Sequence, residues 1–503
     1  MVENNVLIIG GSGREHAIAW ALAKSQAKLF AAMNNKNPGI MKLCEDVNII
    51  PETDVHNIAK WAVAKKIDIA VVGLEDPLGA GITDELVEYG IPTVGPTKAA
   101  SQIEMSKEFA RDLLEKNNIE GKIEYKVFDK IKDAKDFIVN FDKEIVIKPI
   151  GLTGGKGVKI LGEQLKTKKD AIDYATEIIQ DKIGNYSKVL IEEKLDGEEF
   201  TLQCFVDGKH IVPMPAVQDH KRAYDGDIGP NTGGMGSYSQ KDGLLPFLNR
   251  KEYNQGVRII EHVVKAMKNE GREYKGILYG QFMLTAEGLK IIEFNARFGD
   301  PEAMNVIPLL KSDFLDICWD IVDGNLSANR IDFVKKATVC KYAVPQYYGT
   351  KQVKKDKIIY IDEKGIEKSG AIPFTAKLND ENGVIHTTSS RSIALVGISD
   401  EINDAEKIAE NALQYIRGDI FSRHDIGKKD LILKRVQHMN EIRQKHPGNN
   451  TIIDKPIESF KENGIKSEKI IHMKKKSKYL NSKECKTNEH QCHDASKFIL
   501  AGQ

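Results

Sequence analysis

The feature that most constrains this chain is a glycine- and lysine-rich loop between two strand-like segments. Glu144–Ile147 leads into the loop and Val158–Leu161 leads out of it, and both are rich in β-branched residues, which predicts strands. The intervening Lys148–Gly157 holds four glycines and two lysines. Glycines let backbone N–H groups approach a phosphate, and lysines supply positive charge. The loop therefore predicts a flap over a nucleotide, and a solvent-exposed hairpin tip is the alternative.

This loop is not a Walker A motif, because it lacks the G-x-x-x-x-G-K-[ST] pattern and leads into a strand.

The length of 503 residues predicts several domains. Lysine plus arginine equals aspartate plus glutamate at 73 each, so net charge favours no class of partner. No apolar run is long enough to span a bilayer, and six scattered cysteines fit a reducing compartment. We therefore predict a cytoplasmic protein without a membrane partner.

The N-terminus predicts a doubly wound α/β domain. Val6–Ile9 reads as a buried strand, Gly10–Gly13 as a turn, and a helix follows from about Ala17. The N-terminus of such a helix is an anion site. The dinucleotide fingerprint fails, because His16 occupies the position of its third glycine. Arg14 at the turn suits a small phosphate, and a tight turn without a ligand is the alternative.

A predicted hairpin carries candidate metal ligands. Its strands are Ile277–Met283 and Leu289–Asn295. Glu293 and Asn295 are two residues apart, so they share a face, and Gln281 could lie opposite them. Oxygen ligands on a rigid hairpin suit magnesium. Polar alternation on a solvated strand is the competing interpretation.

Three further segments are candidates for ligand contacts. The acidic stretch Glu192–Glu199 follows a strand and suits ribose hydroxyls, unless it is a solvated edge. A long polar loop contains Asp219–Arg222 and Gly229–Gly236, and long loops between ordered segments are usually functional. Its His-Lys-Arg cluster suits an anionic substrate. Lys107 lies near the start of a helix predicted over Ala99 to about Lys116, and its default interpretation is a surface lysine.

The remainder predicts a separate small α+β domain followed by a tail. Short β-like runs begin at Ala337, and helices are expected over about Asp400–Tyr415 and Leu431–Gln444. Lysine, serine and asparagine dominate beyond His446, with too few apolar residues for a core, which predicts a disordered basic tail. The predicted domains span 1–100, 101–328 with a flap subdomain at about 122–192, 329–444, and the tail 445–503.

Seven motifs in one order resemble the ATP-grasp ligases, and more narrowly the glycinamide ribonucleotide synthetase family of purine biosynthesis. The resemblance covers Val6 to about Arg443. The motifs are Gly10–Ala17, Asn37–Gly39, Gly95–Ala100, Gly151–Val158, Gln218–Arg222, Asn231–Gly236 and Glu293–Glu302, the last of which joins the metal ligands to an Arg-Phe-Gly-Asp-Pro-Glu run. The resemblance implies an α/β multidomain fold with an N-terminal doubly wound parallel-sheet domain, a central α+β ATP-grasp domain and a small C-terminal α+β domain.

The family's reaction joins glycine to 5-phosphoribosylamine and cleaves ATP to ADP and phosphate through a glycyl-phosphate intermediate. The resemblance implies ATP as co-substrate and Mg²⁺ or Mn²⁺ as the metal. The implied nucleotide contacts are Lys107, Lys148, Gly154, Gly155, Lys156, Gly157, Glu192, Glu193, Leu195 and Glu199. The implied substrate contacts are Gly11, Ser12, Gly13, Arg14, Glu15, Asp219, His220, Lys221, Arg222 and Asp300. Gln281, Glu293 and Asn295 are the implied metal ligands, and Arg297 and Lys148 the implied catalytic residues.

Two segments depart from the family pattern. Many members have Lys-Ala-Asp-Gly-Leu where this chain has Lys148–Leu152, so an acid is missing at Ile150. Ser389–Arg391 stands where Gly-Gly-Arg is usual.

We expect a monomer or dimer that binds no nucleic acid. The alternatives are another ATP-grasp ligase or carboxylase of purine metabolism, a nicotinamide-binding oxidoreductase, and a silent nucleotide-binding module.

Overall fold

The N-terminal segment folds as a five-stranded parallel sheet with helices around it. The computed structural model describes residues 4–151, 157–350 and 356–445. The strands are β1 (Asn5–Ile9), β2 (Lys28–Met33), β3 (Asp46–Ile49), β4 (Ile69–Val72) and β5 (Thr93–Val94), in the order β3-β2-β1-β4-β5. The helices are α1 (Gly13–Lys24), α2 (Pro38–Leu43), α3 (Val55–Ala64), α4 (Glu75–Ala80) and α5 (Ile82–Glu88). Val6–Ile9 is fully buried, as expected of a parallel strand covered on both faces, and the predicted doubly wound sheet is confirmed.

Helix α1 begins four residues before the predicted start. The Glu15 carboxylate accepts a hydrogen bond from the Ser12 N–H at 2.7 Å, which satisfies a free donor at the helix end. This capping pattern extends α1 into the glycine turn, so that Gly13 is its first residue.

A flap subdomain with its own core follows. Its elements, after α6 (Gln102–Met105) and α7 (Lys107–Lys116), are β6 (Tyr125–Phe128), α8 (Ile131–Asn140), β7 (Ile145–Pro149), β8 (Lys159–Ile160), α9 (Lys168–Asp181) and β9 (Val189–Glu193). The sheet order is β6-β9-β7-β8, and the helices cover a cluster that includes Ile138, Ile147 and Ile178. The predicted single helix over Ala99–Lys116 is wrong, because Ser106 is extended and accepts from the Phe109 N–H, which starts a new helix at Lys107.

The centre of the molecule is an antiparallel sheet that carries the predicted metal hairpin. The elements of this central segment are β10 (Gly197–Asp207), β11 (Ile211–Pro213), β12 (Gln218–Asp219), β13 (Arg222–Tyr224), β14 (Ile228–Asn231), β15 (Gly236–Ser239), α10 (Arg250–Asn269), β16 (Lys275–Thr285), β17 (Gly288–Asn295), α11 (Ala303–Val306) and α12 (Phe314–Asp323). The sheet order is β11-β10-β16-β17, and β13 pairs with β14. The predicted hairpin is confirmed as β16–β17.

The C-terminal segment shares a sheet with the central one. Its elements are β18 (Ala337–Pro345), β19 (Ile358–Ile361), α13 (Glu363–Ser369), β20 (Ile372–Thr375), β21 (Leu378–Glu381), β22 (Val384–Thr387), β23 (Ile393–Ser399), α14 (Ile402–Ala412), β24 (Ile416–Gly418), β25 (Ile420–Phe421) and α15 (Lys429–Lys445). Strands β12 and β15 pair onto β18-β23-β20, and a second sheet runs β21-β22-β19-β24. The sheet that contains β12, β15 and β18 therefore crosses the boundary that the sequence predicts at 328/329.

Helix α15 packs back on the central segment, where Arg443 pairs with Glu252 at 2.7 Å and His438 with Glu198 at 2.7 Å. Four short 3₁₀ turns complete the described chain, at Ile183–Asn185, Ile307–Leu309, Ala328–Arg330 and Leu413–Tyr415. Within the described residues no helix is long and apolar enough to cross a membrane. The predicted basic tail lies outside the described residues.

Candidate active site

The predicted metal ligands lie together on one face of the β16–β17 hairpin. Gln281 is directly opposite Glu293, and Tyr279 is opposite Asn295. The register shifts between Gln281 and Phe282, which leaves Ile292 as an extra residue on β17. The face thus presents one carboxylate and two amide oxygens, a donor set that suits a hard divalent cation. The metal role of these residues stays a prediction.

The first turn of α7 approaches this hairpin. A cavity between them is lined by Ile103, Glu104, Lys107, Ala110, Arg111, Ile292, Glu293, Phe294 and Asn295. The Lys107 ammonium donates to the Gly151 carbonyl at 3.1 Å, so it reaches the base of the flap loop. Burial lowers the pKa of Lys107, and the neighbouring Glu293 opposes that shift. A second cation, Lys148, adds to the charge here. Lys107 is therefore not the surface lysine of the default interpretation.

Lys148 belongs to a buried ion cluster on β7 and β9. Its ammonium lies 2.5 Å from Glu192 Oε2, and the Arg111 Nε donates to Glu192 Oε1 at 2.7 Å. Burial acts to raise the pKa of Glu192, but the two cations outweigh it and hold the pKa at about 2. Glu192 is thus ionised and anchors the predicted phosphate lysine. Sequence reasoning missed Arg111, which had no local signal on an ordinary amphipathic helix.

The other acids of the Glu192–Glu199 segment separate into two groups. Glu193 points away from Glu192, pairing with Lys143 at 2.7 Å and accepting from the Glu124 N–H. Leu195 is half-buried in the turn that follows. Glu199 instead accepts from Gln281 Nε2 at 3.0 Å and pairs with Lys221 at 2.8 Å. Glu199 therefore joins the metal hairpin to the Asp219–Arg222 segment.

Arg297 lies between two carboxylates. It contacts Glu75 Oε2 at 3.1 Å and Glu104 Oε1 at 2.8 Å. Burial raises the pKa of Glu104 to about 7 in spite of this arginine. Burial also acts to raise the pKa of Glu75, but Arg297 and Arg14 hold it at about 2. Glu75, the first residue of α4, is thereby brought beside the predicted catalytic arginine.

The N-terminal turn is joined to the Arg297–Asp300 loop. Arg14 is buried, pairs with Glu15 at 2.6 Å and donates to the Phe298 carbonyl at 3.0 Å. The Ser12 hydroxyl donates to Asp300 Oδ2 at 2.9 Å. Gly11 lies so close to Asn35 that an added Cβ would sit 2.3 Å from its Oδ1, so this position requires glycine. Glu15, predicted as a substrate contact, is fully buried and serves the helix cap.

Asp300 is the point at which three parts of the fold meet. Besides Ser12, it accepts from the Tyr342 hydroxyl at 2.6 Å and lies 3.2 Å from Arg391 Nη2. Arg391 Nη1 also donates to the carbonyls of Gly233 at 2.6 Å and Asp300 at 2.7 Å. In the sequence, Arg391 stands out only as part of a departure from the family pattern. The structure makes it the link between two predicted substrate loops.

The Asp219–Arg222 segment is held on several sides. Asp219 Oδ1 is buried and accepts no hydrogen bond from the described residues. Burial lowers the pKa of His220, whose Nδ1 lies 3.6 Å from Asp227. Lys221 faces Glu199, and Arg222 pairs with Glu163 at 2.8 Å. These four residues therefore do not all face one cavity.

The tip of the predicted flap loop, including Gly154, Gly155 and Lys156, lies outside the described residues. Gly157, where description resumes, accepts a hydrogen bond from the Tyr174 hydroxyl at 2.7 Å. Its predicted nucleotide contact stays a prediction.

Three domain models match the chain in order. They are the phosphoribosylglycinamide synthetase N domain over residues 4–104, the ATP-grasp (A) domain over 105–303 and the C domain over 338–429. A protein of Methanobrevibacter smithii named phosphoribosylamine–glycine ligase is 51% identical over 437 residues, which cover 87% of this chain and 99% of the relative. A protein of the same name from Methanocaldococcus jannaschii is 51% identical over 444 residues, covering 87% and 100%.

Solved structures agree with this match. The crystal structure of phosphoribosylamine–glycine ligase from Thermotoga maritima has a TM-score of 0.72 at 26% identity and covers 84% of this chain and 100% of that one. A biotin carboxylase domain from Hydrogenobacter thermophilus, in complex with MgADP, has a TM-score of 0.64 at 13% identity, covering 90% and 97%. At that identity the second likeness concerns the fold alone. The chain belongs to the phosphoribosylglycinamide synthetase family.

Proposed function

We propose that this chain is an ATP-dependent ligase that joins glycine to 5-phosphoribosylamine, forming glycinamide ribonucleotide, ADP and phosphate. The observation that carries the proposal is the identity of about half the residues, over nearly the full length of the relatives, with proteins named for that reaction. The fold by itself does not discriminate, because biotin carboxylases share it.

The proposed chemistry proceeds in two displacements. A glycine carboxylate oxygen attacks the γ-phosphorus of ATP, and the bond to the ADP oxygen breaks. The amine of phosphoribosylamine then attacks the acyl carbon of glycyl phosphate, and inorganic phosphate leaves with the bonding electrons while the amine loses a proton. No side-chain nucleophile is required, so the protein acts by positioning and by charge neutralisation.

We assign Lys107 and Lys148 to the ATP phosphates, because both ammonium groups lie at the base of the flap loop. Lys148 is held in place by ionised Glu192, as a preorganised cation should be. Residues 154–157 would cover the phosphates, and the rim formed by Glu193 and Leu195 would contact adenosine.

Gln281, Glu293 and Asn295 would hold Mg²⁺ or Mn²⁺, because all three offer oxygen atoms from one face of the hairpin. When bound, the metal would neutralise charge on the ATP phosphates. Glu199 would orient Gln281 through its contact with the amide nitrogen.

The two substrates are assigned to the segments joined at Asp300. The turn at Gly11–Arg14 and the Asp219–Arg222 segment would bind the phosphate and ribose of phosphoribosylamine. Arg297 would face the glycine carboxylate or the γ-phosphate, and its two carboxylate partners would have to release one edge of the guanidinium.

A cytoplasmic location and a monomeric or dimeric state are part of the proposal. The four cysteines in the described part of the chain, Cys44, Cys204, Cys318 and Cys340, are free thiols, as is usual in a reducing compartment.

The decisive test is ADP release with glycine and phosphoribosylamine each omitted in turn, the latter generated in the assay from ribose 5-phosphate and ammonia. We expect ADP formation only when both are present. ADP formation that is independent of both would refute the proposal, and dependence on bicarbonate would favour a carboxylase.

A further inference from the structure

The ligand face of the hairpin depends on a one-residue irregularity. Phe282 pairs with Ile291, so an unbroken antiparallel ladder would continue with Gln281 opposite Ile292 and Gly280 opposite Glu293. The observed pairs are instead Gln281 with Glu293 and Gly280 with Phe294. Ile292 is therefore the extra residue of a β-bulge.

This bulge decides which way the metal ligands point. Before it, Leu289 and Ile291 are buried, and after it Phe294 is buried, so the inward phase of β17 changes by one residue. The Leu289 and Phe282 side chains lie against Gly256 of α10. Without the bulge, Glu293 would point toward α10, because a shift of one residue moves a strand's side chains to the other face.

One side chain is bonded to both peptide carbonyls at the bulge. Arg111 of α7 donates from Nη1 to the Ile291 carbonyl at 2.8 Å and from Nη2 to the Ile292 carbonyl at 2.7 Å. Its Nε donates to Glu192, the carboxylate that holds Lys148. Arg111 is 4% exposed, so these three bonds are made away from solvent, where an unpaired carbonyl is costly.

We propose that Arg111 is a positioning residue that holds the β17 bulge, and thereby Glu293 and Asn295, in register with the Glu192–Lys148 pair. The inference rests on the proposed function, since it assigns a role within the same nucleotide and metal site. The single guanidinium of Arg111 thereby couples the metal ligands to the phosphate lysine.

Arg111→Lys separates the two halves of this role. A lysine keeps the positive charge beside Glu192, but its single ammonium cannot reproduce the planar fork that reaches two carbonyls. Arg111→Gln removes the charge as well. The matched control is Arg443→Lys, because Arg443 is also buried and also contacts a carboxylate, Glu252, and a backbone carbonyl, Phe247, neither of which is assigned to the proposed site.

The test measures binding rather than turnover alone. Mn²⁺ is titrated into each variant in the presence of ADP and followed by electron paramagnetic resonance, and ADP affinity without metal is measured separately. We expect Mn²⁺ affinity to fall about 10–100-fold in both Arg111 variants, the range for partners that orient metal ligands. ADP affinity without metal should stay near the wild-type value in Arg111→Lys and weaken in Arg111→Gln. The control Arg443→Lys should match wild type in both Mn²⁺ affinity and ADP affinity.

Wild-type Mn²⁺ affinity in the two Arg111 variants would overturn the proposal. Loss of folded protein in both variants, judged by circular dichroism, would also overturn it by assigning Arg111 to stability. If the wild-type protein makes no ADP with glycine and phosphoribosylamine, the proposed function fails. The Mn²⁺ and ADP titrations would still show whether Arg111 positions the metal ligands.

Discussion

Arg391→Met tests the junction at Asp300. Methionine fills much of the aliphatic volume but removes the guanidinium. The lost contacts are those to the Gly233, Gly234 and Asp300 carbonyls at 2.6, 3.2 and 2.7 Å and to Asp300 Oδ1 at 3.2 Å. The guanidinium also lies over the Tyr342 ring, 4.7 Å from its centroid. The variant therefore leaves the buried Asp300 carboxylate without its ion-pair partner.

The size of the effect follows from what remains around Asp300. Removing one partner of a buried ion pair costs about 3–5 kcal/mol. Asp300 is 5% exposed at its side chain, and it keeps hydroxyl donors from Ser12 at 2.9 Å and Tyr342 at 2.6 Å. These two bonds compensate part of the loss, so we expect the lower end, about 3 kcal/mol, in the free energy of unfolding.

Urea unfolding at pH 7, followed by circular dichroism, measures this loss. The control is Arg417→Met, because Arg417 is an exposed arginine on β24 of the same C-terminal segment. We also expect kcat/KM for phosphoribosylamine to fall about 100-fold, as when a substrate loop is displaced, with KM for ATP unchanged. A stability loss below about 1 kcal/mol would refute the ion-pair reasoning, and an equal rise in KM for ATP would refute the assignment to the substrate side.

Three further changes test the metal assignment, the buried histidine and the tail. Glu293→Ala should abolish turnover while leaving the unfolding curve unchanged, and near-normal activity would refute the metal assignment. His16 Nδ1 accepts from the Thr375 N–H at 2.8 Å, and burial lowers its pKa from 6.5 to about 4. The stabilisation of the fold by neutral His16 is complete above pH 6.5, and the free energy of unfolding should decline by about 3 kcal/mol as pH falls toward 4. Urea unfolding at each pH measures this decline. An equal decline in His16→Gln would show that His16 is not its source. Deleting residues 451–503 should leave kcat unchanged, because relatives are matched over 99–100% of their length without that tail, and a collapse of activity would show otherwise.

Local patterns were sufficient for the elements that carry the candidate site. The apolar run Val6–Ile9 followed by glycines predicts a parallel strand and an anion-binding turn, because such a run is stable only when both faces are covered. The spacing of Glu293 and Asn295 predicts a shared face, because side chains alternate along a strand. The β-branched segments around the flap loop predict its two strands in the same way.

Tertiary structure alone decided what those residues contact. The bulge at Ile292 turns Glu293 toward Gln281, but its stabilising arginine lies some 180 positions earlier in the chain on a helix of ordinary pattern. Ser12 lies 288 residues before Asp300 and Arg391 lies 91 residues after it, yet both contact its side chain. Periodicity and propensity depend on neighbours within a few residues, whereas a buried charge needs whichever partner the fold brings to it. The strands, turns and ligand types of this protein therefore follow from local sequence patterns, whereas packing determines which charges hold them in place.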